Sequence, residues 1–104
     1  MSQILVYITC KDLEEARHIS KILVREKLVA CANIHSPIQS VYEWDGEVCE
    51  GEEYGVILKT CLTRYDALEG RIKSLHSYDV PCIIQLPIQG GSQEYLAWIS
   101  EQTH

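Results

Sequence analysis

The first quarter of the chain changes from a continuous apolar run to a helical repeat. Residues 4–9 are apolar or β-branched at nearly every position, which is typical of a central strand covered on both faces. Asp12 follows with Glu15 three residues later, a spacing that resembles a capping box at a helix start. Apolar residues then recur at helical spacing, at Leu13, Ala16, Ile19, Ile22 and Leu23. The pattern predicts a strand followed by an amphipathic helix over residues 12–26.

The middle of the chain is predicted to form one long β-hairpin. Residues 29–44 and 48–61 are rich in apolar and β-branched side chains, and the Asp-Gly pair at 45–46 is typical of a type I′ turn. Pro37 cannot donate to a strand ladder, so we expect a β-bulge near it that shifts the pairs farther from the turn. Without a bulge, a two-residue turn predicts these cross-strand pairs: Trp44 with Glu47, Tyr42 with Cys49, and Asn33 with Leu58.

The last third of the chain predicts a helix, a short strand and a final helix. Thr63 with Asp66 three residues later indicates the start of the second helix, and residues 82–86 form a short apolar strand. Ser92 follows a Gly-Gly pair and is expected to cap the final helix. The order β-α-β-β-α-β-α indicates an α+β fold, a ferredoxin-like βαββαβ sandwich with a long central hairpin and a C-terminal helix.

The length of the hairpin strands predicts an oligomer. Strands of about 15 residues would be on the order of 50 Å long, whereas a domain of this size has a radius of gyration of about 13 Å. The hairpin must therefore bend back at Pro37 or project beyond its own domain. Its tip carries the apolar residues Val41, Tyr42, Trp44 and Val48. A lone hairpin is marginal in water, so we expect a cyclic homo-oligomer that covers the tip and hides the sheet edges.

The composition of the chain bears on its domain number, its classes of partner and its cellular location. The 104 residues allow one domain, residues 1–104, and the net charge of −6 without a basic cluster argues against nucleic-acid binding. No apolar run approaches the roughly 20 residues of a membrane span, and no secretory signal is visible. The five cysteines include no CxxC pair, so we expect reduced thiols and a cytoplasmic location.

Five segments of the chain resemble the CutA family of divalent-cation tolerance proteins. They are EKLVACANI at 26–34, SVYEWDG at 40–46, ILKT at 57–60, HSYDVP at 76–81 and YLAWI at 95–99. The resemblance implies a ferredoxin-like fold, a compact homotrimer and an architecture related to the PII signalling proteins. It also implies tolerance of copper and other divalent cations, with Cu(II) bound by several members. No catalytic activity is implied, and we expect neither an enzyme nor an obligatory cofactor.

A copper site proposed for that family carries over incompletely. It uses a cysteine late in the first strand, and the corresponding position here is Ile8, with Cys10 two residues later. The site also uses adjacent histidines, of which only His76 is present, preceded by Leu75.

His76 and Cys10 are the candidate metal ligands. Imidazole is a good ligand for Cu(II) and Zn(II), and a thiol at the N-terminus of a helix is favoured as thiolate. A structural interpretation stands beside each. His76 could interact with the last carbonyls of its helix, and Cys10 could be a small buried residue in a tight loop.

A second group of residues is expected at a cleft between subunits. Cys31, Asn33 and Lys59 share the hairpin, where polar groups among apolar ones need polar partners. The cleft could bind a small anion or a metal complex, with Lys59 as the cation, or its polar groups could specify register and subunit packing. The residues assigned to it are Cys31, Asn33, Tyr42, Trp44, Glu53, Lys59 and Tyr78.

Three functions compete at this point. The first is a trimeric protein that binds copper or other divalent metal ions in response to metal stress. The second is a PII-like scaffold or signalling protein that takes a small ligand or a protein partner in the intersubunit cleft. The third is an enzyme that uses Lys59, Tyr78, His76 and Cys10 in the intersubunit cleft. It is disfavoured because these residues show no recognised nucleophile–base spacing.

Overall fold

The computed structural model describes residues 2–104 as one four-stranded sheet with three helices. The strands are β1 (Gln3–Cys10), β2 (Cys31–Trp44), β3 (Glu47–Cys61) and β4 (Ile83–Pro87), and the helices are α1 (Leu13–Arg25), α2 (Tyr65–Leu75) and α3 (Gln93–Gln102). The sheet order is β2-β3-β1-β4, and all three neighbouring pairs are antiparallel. This arrangement confirms the predicted α+β class and the ferredoxin-like topology. No helix in the described part of the chain is long and apolar enough to cross a membrane.

The main core lies between one face of the sheet and the helices α1 and α2. Alternate residues of β1 point into it, so Ile4, Val6, Ile8 and Cys10 are buried against Leu23, Leu58, Leu68, Ile72 and their neighbours. The opposite side of the sheet, called the open face here, carries Leu5, Tyr7, Ile57 and Lys59 by the same alternation. Helix α3 covers one end of the open face, where Gln3 Nε2 donates to Ser100 Oγ at 3.0 Å and Ile99 packs beside Cys61.

The predicted cap forms at α1, with the Glu15 side chain bonded to Lys11 instead of to the N-cap residue Asp12. Asp12 accepts the Glu15 backbone N–H at 2.8 Å, and Glu15 Oε1 accepts the Lys11 backbone N–H at 3.1 Å. The other end of α1 is closed by a Schellman motif, in which Lys27 has φ = 60° and the Leu28 N–H bonds the Leu23 carbonyl at 3.0 Å. The sequence-predicted helix over 12–26 is therefore correct to within one residue at each end.

The hairpin has the predicted register. Trp44 pairs with Glu47, Tyr42 pairs with Cys49, and the register shifts between Ile34 and Pro37 as expected. The shift brings Asn33 opposite Ile57, one position from the partner expected without a bulge. Asp45 and Gly46 have φ angles of 51° and 77°, which suits a type I′ turn. The hairpin projects, and the molecule measures 45 × 25 × 23 Å.

The start of α2 differs from the prediction. A 3-10 turn occupies Leu62–Arg64 and α2 begins at Tyr65 with Arg64 as its N-cap residue, so Thr63 lies within the turn. The start of α3 agrees with the prediction, since Ser92 Oγ accepts the Tyr95 backbone N–H at 3.4 Å.

Candidate metal centre

Three ligand-type side chains meet where β1 ends and α1 begins. Cys10 is the last residue of β1, Glu15 stands in the first turn of α1, and His76 follows the last turn of α2. One ligand atom from each residue lies within 4.8 Å of the others. The fold therefore brings together the two sequence-predicted ligands, His76 and Cys10, and adds Glu15 to them. These three residues are called the His76 cluster here.

Both ring nitrogens of His76 have partners. Nδ1 accepts the Tyr78 backbone N–H at 3.1 Å, which places a lone pair on that atom. Nε2 lies 2.8 Å from the Thr9 carbonyl oxygen, which can only accept, so Nε2 carries the proton. The side chain thus joins the end of β1 to the loop after α2. A metal ion can take His76 as a ligand only by replacing one of these two bonds.

Glu15 is held as a carboxylate by the chain around it. Its Oε2 accepts the Ser77 backbone N–H at 2.9 Å, in addition to the Lys11 bond at Oε1. Burial alone would raise the pKa of the Glu15 carboxyl, but hydrogen bonds from Ser77 and Lys11 outweigh it and lower the pKa. Sequence reasoning identified Glu15 only as part of a helix cap.

Cys10 is a protonated thiol in this environment. Burial raises its pKa to about 12, and the nearby carboxylates of Glu15, Asp12 and Glu53 act in the same direction. The expectation that the N-terminus of α1 would favour the thiolate is therefore wrong. Full burial of the side chain and the surrounding negative charge outweigh the helix dipole.

The residues assigned to one cleft occupy three separate places within the subunit. Tyr42 and Trp44 are exposed at the hairpin tip. Tyr78 donates its hydroxyl proton to Glu53 Oε2 at 2.8 Å, and its ring lies 4.8 Å from that of His76. Burial, followed by the Glu53 hydrogen bond, raises the pKa of Tyr78. This pair therefore borders the His76 cluster instead of lying near Lys59.

Cys31, Asn33 and Lys59 lie together on the open face and share a partner that sequence reasoning missed. Tyr95 of α3 places its hydroxyl 3.2 Å from Lys59 Nζ and 3.5 Å from Cys31 Sγ. Asn33 Oδ1 lies 4.0 Å from the same sulfur. These four residues are called the Lys59 cluster here. In the sequence Tyr95 stood out only as the first residue of the YLAWI segment at 95–99, which indicated no partner for it.

The two clusters are far apart. Cys10 pairs with Tyr54 and Leu5 pairs with Lys59, and along β3 these positions are separated by about 17 Å at the usual strand rise. Cys10 also points to the helix-covered face, whereas Lys59 is on the open face. Lys59 therefore does not meet Cys10, His76 and Tyr78 within a single subunit.

Comparisons with known proteins agree with the fold. A family model described as CutA1 divalent ion tolerance protein matches residues 4–102. The divalent-cation tolerance protein CutA of Thermus thermophilus is 46% identical over 98 residues, covering 94% of this chain and 95% of the relative.

Two solved structures are also similar to this chain in shape. The crystal structure of CutA1 from Oryza sativa superposes with a TM-score of 0.98 at 40% identity, covering 100% of this chain and 95% of that one. The structure named periplasmic divalent cation tolerance protein CutA, from Archaeoglobus fulgidus, has a TM-score of 0.95 at 39% identity, covering 98% and 99%. The chain therefore belongs to the CutA1 divalent ion tolerance family.

Proposed function

We propose that this protein binds divalent metal ions, copper among them, at the His76 cluster, and that it acts in metal tolerance without catalysing a reaction. The observation that carries the proposal is the convergence of Cys10, Glu15 and His76 within 4.8 Å. Membership of a divalent ion tolerance family supports it. Thiolate, imidazole and carboxylate together form a donor set that suits Cu(II) and Zn(II).

Coordination requires a small rearrangement and the loss of a proton. Metal–ligand bonds of about 2.0–2.3 Å place neighbouring ligand atoms about 3.5 Å apart in a tetrahedral site, so the three side chains must move closer. The metal must also displace the proton of Cys10, whose pKa is about 12. The metal affinity is therefore expected to rise about tenfold for each unit increase in pH around neutrality, because each metal ion bound releases one thiol proton.

The test is a titration of the reduced protein with Cu(II) and with Zn(II), followed by native mass spectrometry and calorimetry. The site variants are Cys10→Ala and His76→Gln, since glutamine keeps a donor and an acceptor but is a poor metal ligand. The matched controls are Cys49→Ala and His35→Gln, which remove the same groups from the hairpin. We expect a fixed metal-to-subunit ratio that both site variants lose and both controls keep. Unchanged affinity in Cys10→Ala and His76→Gln would exclude this site.

We propose a homotrimer as the working form. Support comes from apolar side chains that one subunit leaves in water, notably Trp44 at 67% exposure and Val48 at 75% on the projecting hairpin. Native mass spectrometry reports the subunit number in the same experiment, and a stable folded monomer would contradict the proposal. The cytoplasmic location is likewise proposed, supported by five free cysteines. Cell fractionation tests it, and recovery with secreted or envelope proteins would contradict it.

A PII-like scaffold that binds a small ligand or a protein partner is the second candidate function. The observation that favours it is the Lys59 cluster, where a cation faces solvent and has no carboxylate partner within residues 2–104. Under this function, metal binding would be weak and non-saturating, while a small ligand or a protein partner would bind in a manner that depends on Lys59.

A further inference from the structure

The Lys59 cluster has hydrogen-bond donors that the subunit leaves unused. The ammonium group of Lys59 has three N–H donors, and one of them is directed at the Tyr95 hydroxyl at 3.2 Å. The same ammonium lies 5.2 Å from the centre of the Tyr95 ring, close enough for a cation–π contact. Within residues 2–104 the other two ammonium N–H donors have no hydrogen-bond partner, and Lys59 is only half-buried.

The neighbours of Lys59 contribute more donors than acceptors. The Asn33 Oδ1 atom faces the Cys31 sulfur at 4.0 Å, which leaves the Asn33 NH₂ group on the other side of the amide. The Tyr95 hydroxyl accepts from Lys59 and can donate its own proton. Its contact with Cys31 Sγ, at 3.5 Å, is with a weak sulfur acceptor that a better one would replace. The site therefore offers unpartnered hydrogen-bond donors around the single positive charge of Lys59.

Charge neutralisation by the subunit itself is absent at this position. The chain carries 15 acidic residues against 9 basic ones, yet the ion pairs in the described part of the chain are Arg71 with Glu26 and Lys73 with Glu69. Lys59 instead pairs with a phenol. A half-buried lysine among hydroxyl and amide donors is suited to an oxyanion, because charge-assisted hydrogen bonds are about twice as strong as neutral ones.

We propose that Lys59, Tyr95 and Asn33 form a binding site for a small oxyanion, a phosphate or carboxylate group of a soluble ligand. Lys59 supplies the charge, and Tyr95 and Asn33 supply directed hydrogen bonds. Within one subunit Tyr95 is 41% exposed and Asn33 is exposed, so both side chains are available to a ligand in an intersubunit cleft. The site rests on the second candidate function and is independent of the metal site, which lies about 17 Å away along the sheet and on its other face.

The test measures anion binding by calorimetry at constant ionic strength, with inorganic phosphate and citrate titrated separately. The variants are Lys59→Met and Tyr95→Phe. Lys21→Met serves as the matched control, because it removes the same charge from an exposed position on α1. We expect saturable binding of at least one of the two anions to the unmodified protein and to Lys21→Met. Binding should be at least about tenfold weaker in Lys59→Met and about threefold weaker in Tyr95→Phe.

The outcomes separate this inference from the metal proposal. Saturable binding that falls in both site variants supports the oxyanion site, and the tighter of the two anions identifies its ligand chemistry. Binding of neither anion, or equal binding in Lys59→Met, overturns it. If Lys59→Met does not assemble, the Tyr95→Phe result decides, since that variant keeps the ring and its packing. Copper binding measured on the same samples is expected to be unchanged in all variants, so failure of one site does not imply failure of the other.

Discussion

The His76 cluster and the Lys59 cluster differ in how completely their polar atoms are partnered. At the His76 cluster, both ring nitrogens of His76 and both oxygens of Glu15 have backbone partners, and the thiol of Cys10 is fully buried. At the Lys59 cluster, the ammonium of the half-buried Lys59 has one directed hydrogen-bond partner within the subunit. A ligand must break existing bonds to enter the first cluster but only displace water at the second.

The two clusters should also differ in how much they contribute to folding stability and to ligand binding. Buried polar groups that lose their partners cost about 1–3 kcal/mol each, so the His76 cluster should contribute to stability even without a metal ion. Exposed groups exchange protein partners for water at little cost, so the Lys59 cluster should contribute to binding more than to stability. Substitutions in the His76 cluster should therefore lower stability, whereas substitutions in the Lys59 cluster should mainly weaken ligand binding.

His76→Ala is expected to have the largest effect on stability. The substitution removes the partners of the Thr9 carbonyl and the Tyr78 N–H, and we expect a loss of about 2–3 kcal/mol in the free energy of unfolding. Urea denaturation at one matched protein concentration measures it, because an oligomer's stability depends on concentration. Lys59→Met is the comparison and should change stability by less than about 0.5 kcal/mol. Equal losses of unfolding free energy in His76→Ala and Lys59→Met would show that the two clusters contribute equally to stability.

The thiols of the two clusters should react at very different rates. Cys10 is fully buried with its pKa raised to about 12, whereas Cys31 is partly exposed. At pH 8 we expect iodoacetamide to label Cys10 at least about 100-fold more slowly than Cys31, because the thiolate is the reactive form. Peptide mapping by mass spectrometry after timed labelling gives both rates in one sample. Labelling of Cys10 at the rate of Cys31 would show that the His76 cluster opens readily in solution.

Glu15→Gln should have a smaller effect that depends on pH. The folded state lowers the pKa of this carboxyl from its ordinary value of 4.5, so its stabilisation is present above that pH and is lost as the pH falls through the lower folded-state value. Glutamine replaces one accepting oxygen with a donor, and we expect a loss of about 1 kcal/mol at pH 7. Unfolding of both proteins from pH 7 to pH 3 is the measurement. A difference that stayed constant over this range would show that the ionised form of Glu15 is not what stabilises the cluster.

Local signals in the sequence predicted the strands and helices that carry both clusters. The Asp-Gly turn determined the hairpin register, Pro37 marked the bulge, and Asp12 and Ser92 marked two helix starts, since each signal acts within a few residues. The side-chain environments were not local in this sense. Tyr95 reaches Lys59 only because α3 folds over the open face, from 36 positions away in sequence.

The state of Cys10 shows the same limit. Its position before α1 correctly indicated a helix N-terminus. The pKa of its thiol, however, depends on burial by the rest of the fold, on Glu15 and Asp12 nearby in the chain, and on Glu53 from β3. Glu15 was equally hidden, because its role in the α1 cap was a sufficient explanation for its presence. Sequence patterns therefore predicted where the ligand-type residues lie, while the structure was needed to show which of them meet and which are already partnered.

Tyr95→Phe is expected to have the smallest effect on stability. It therefore tests most directly whether the Lys59 cluster contributes to binding and not to folding. The substitution removes a hydroxyl that contacts both Lys59 and Cys31, but the site is open to solvent, and water can replace the hydroxyl. The ring and its 5.5 Å contact with the ring of Trp98 are kept. We expect the free energy of unfolding in urea to change by less than about 0.5 kcal/mol, while oxyanion binding becomes about threefold weaker. A loss of about 2 kcal/mol in the free energy of unfolding would instead mean that the Tyr95 hydroxyl makes a structural hydrogen bond, as His76 does. The polar groups of the Lys59 cluster would then hold α3 on the sheet.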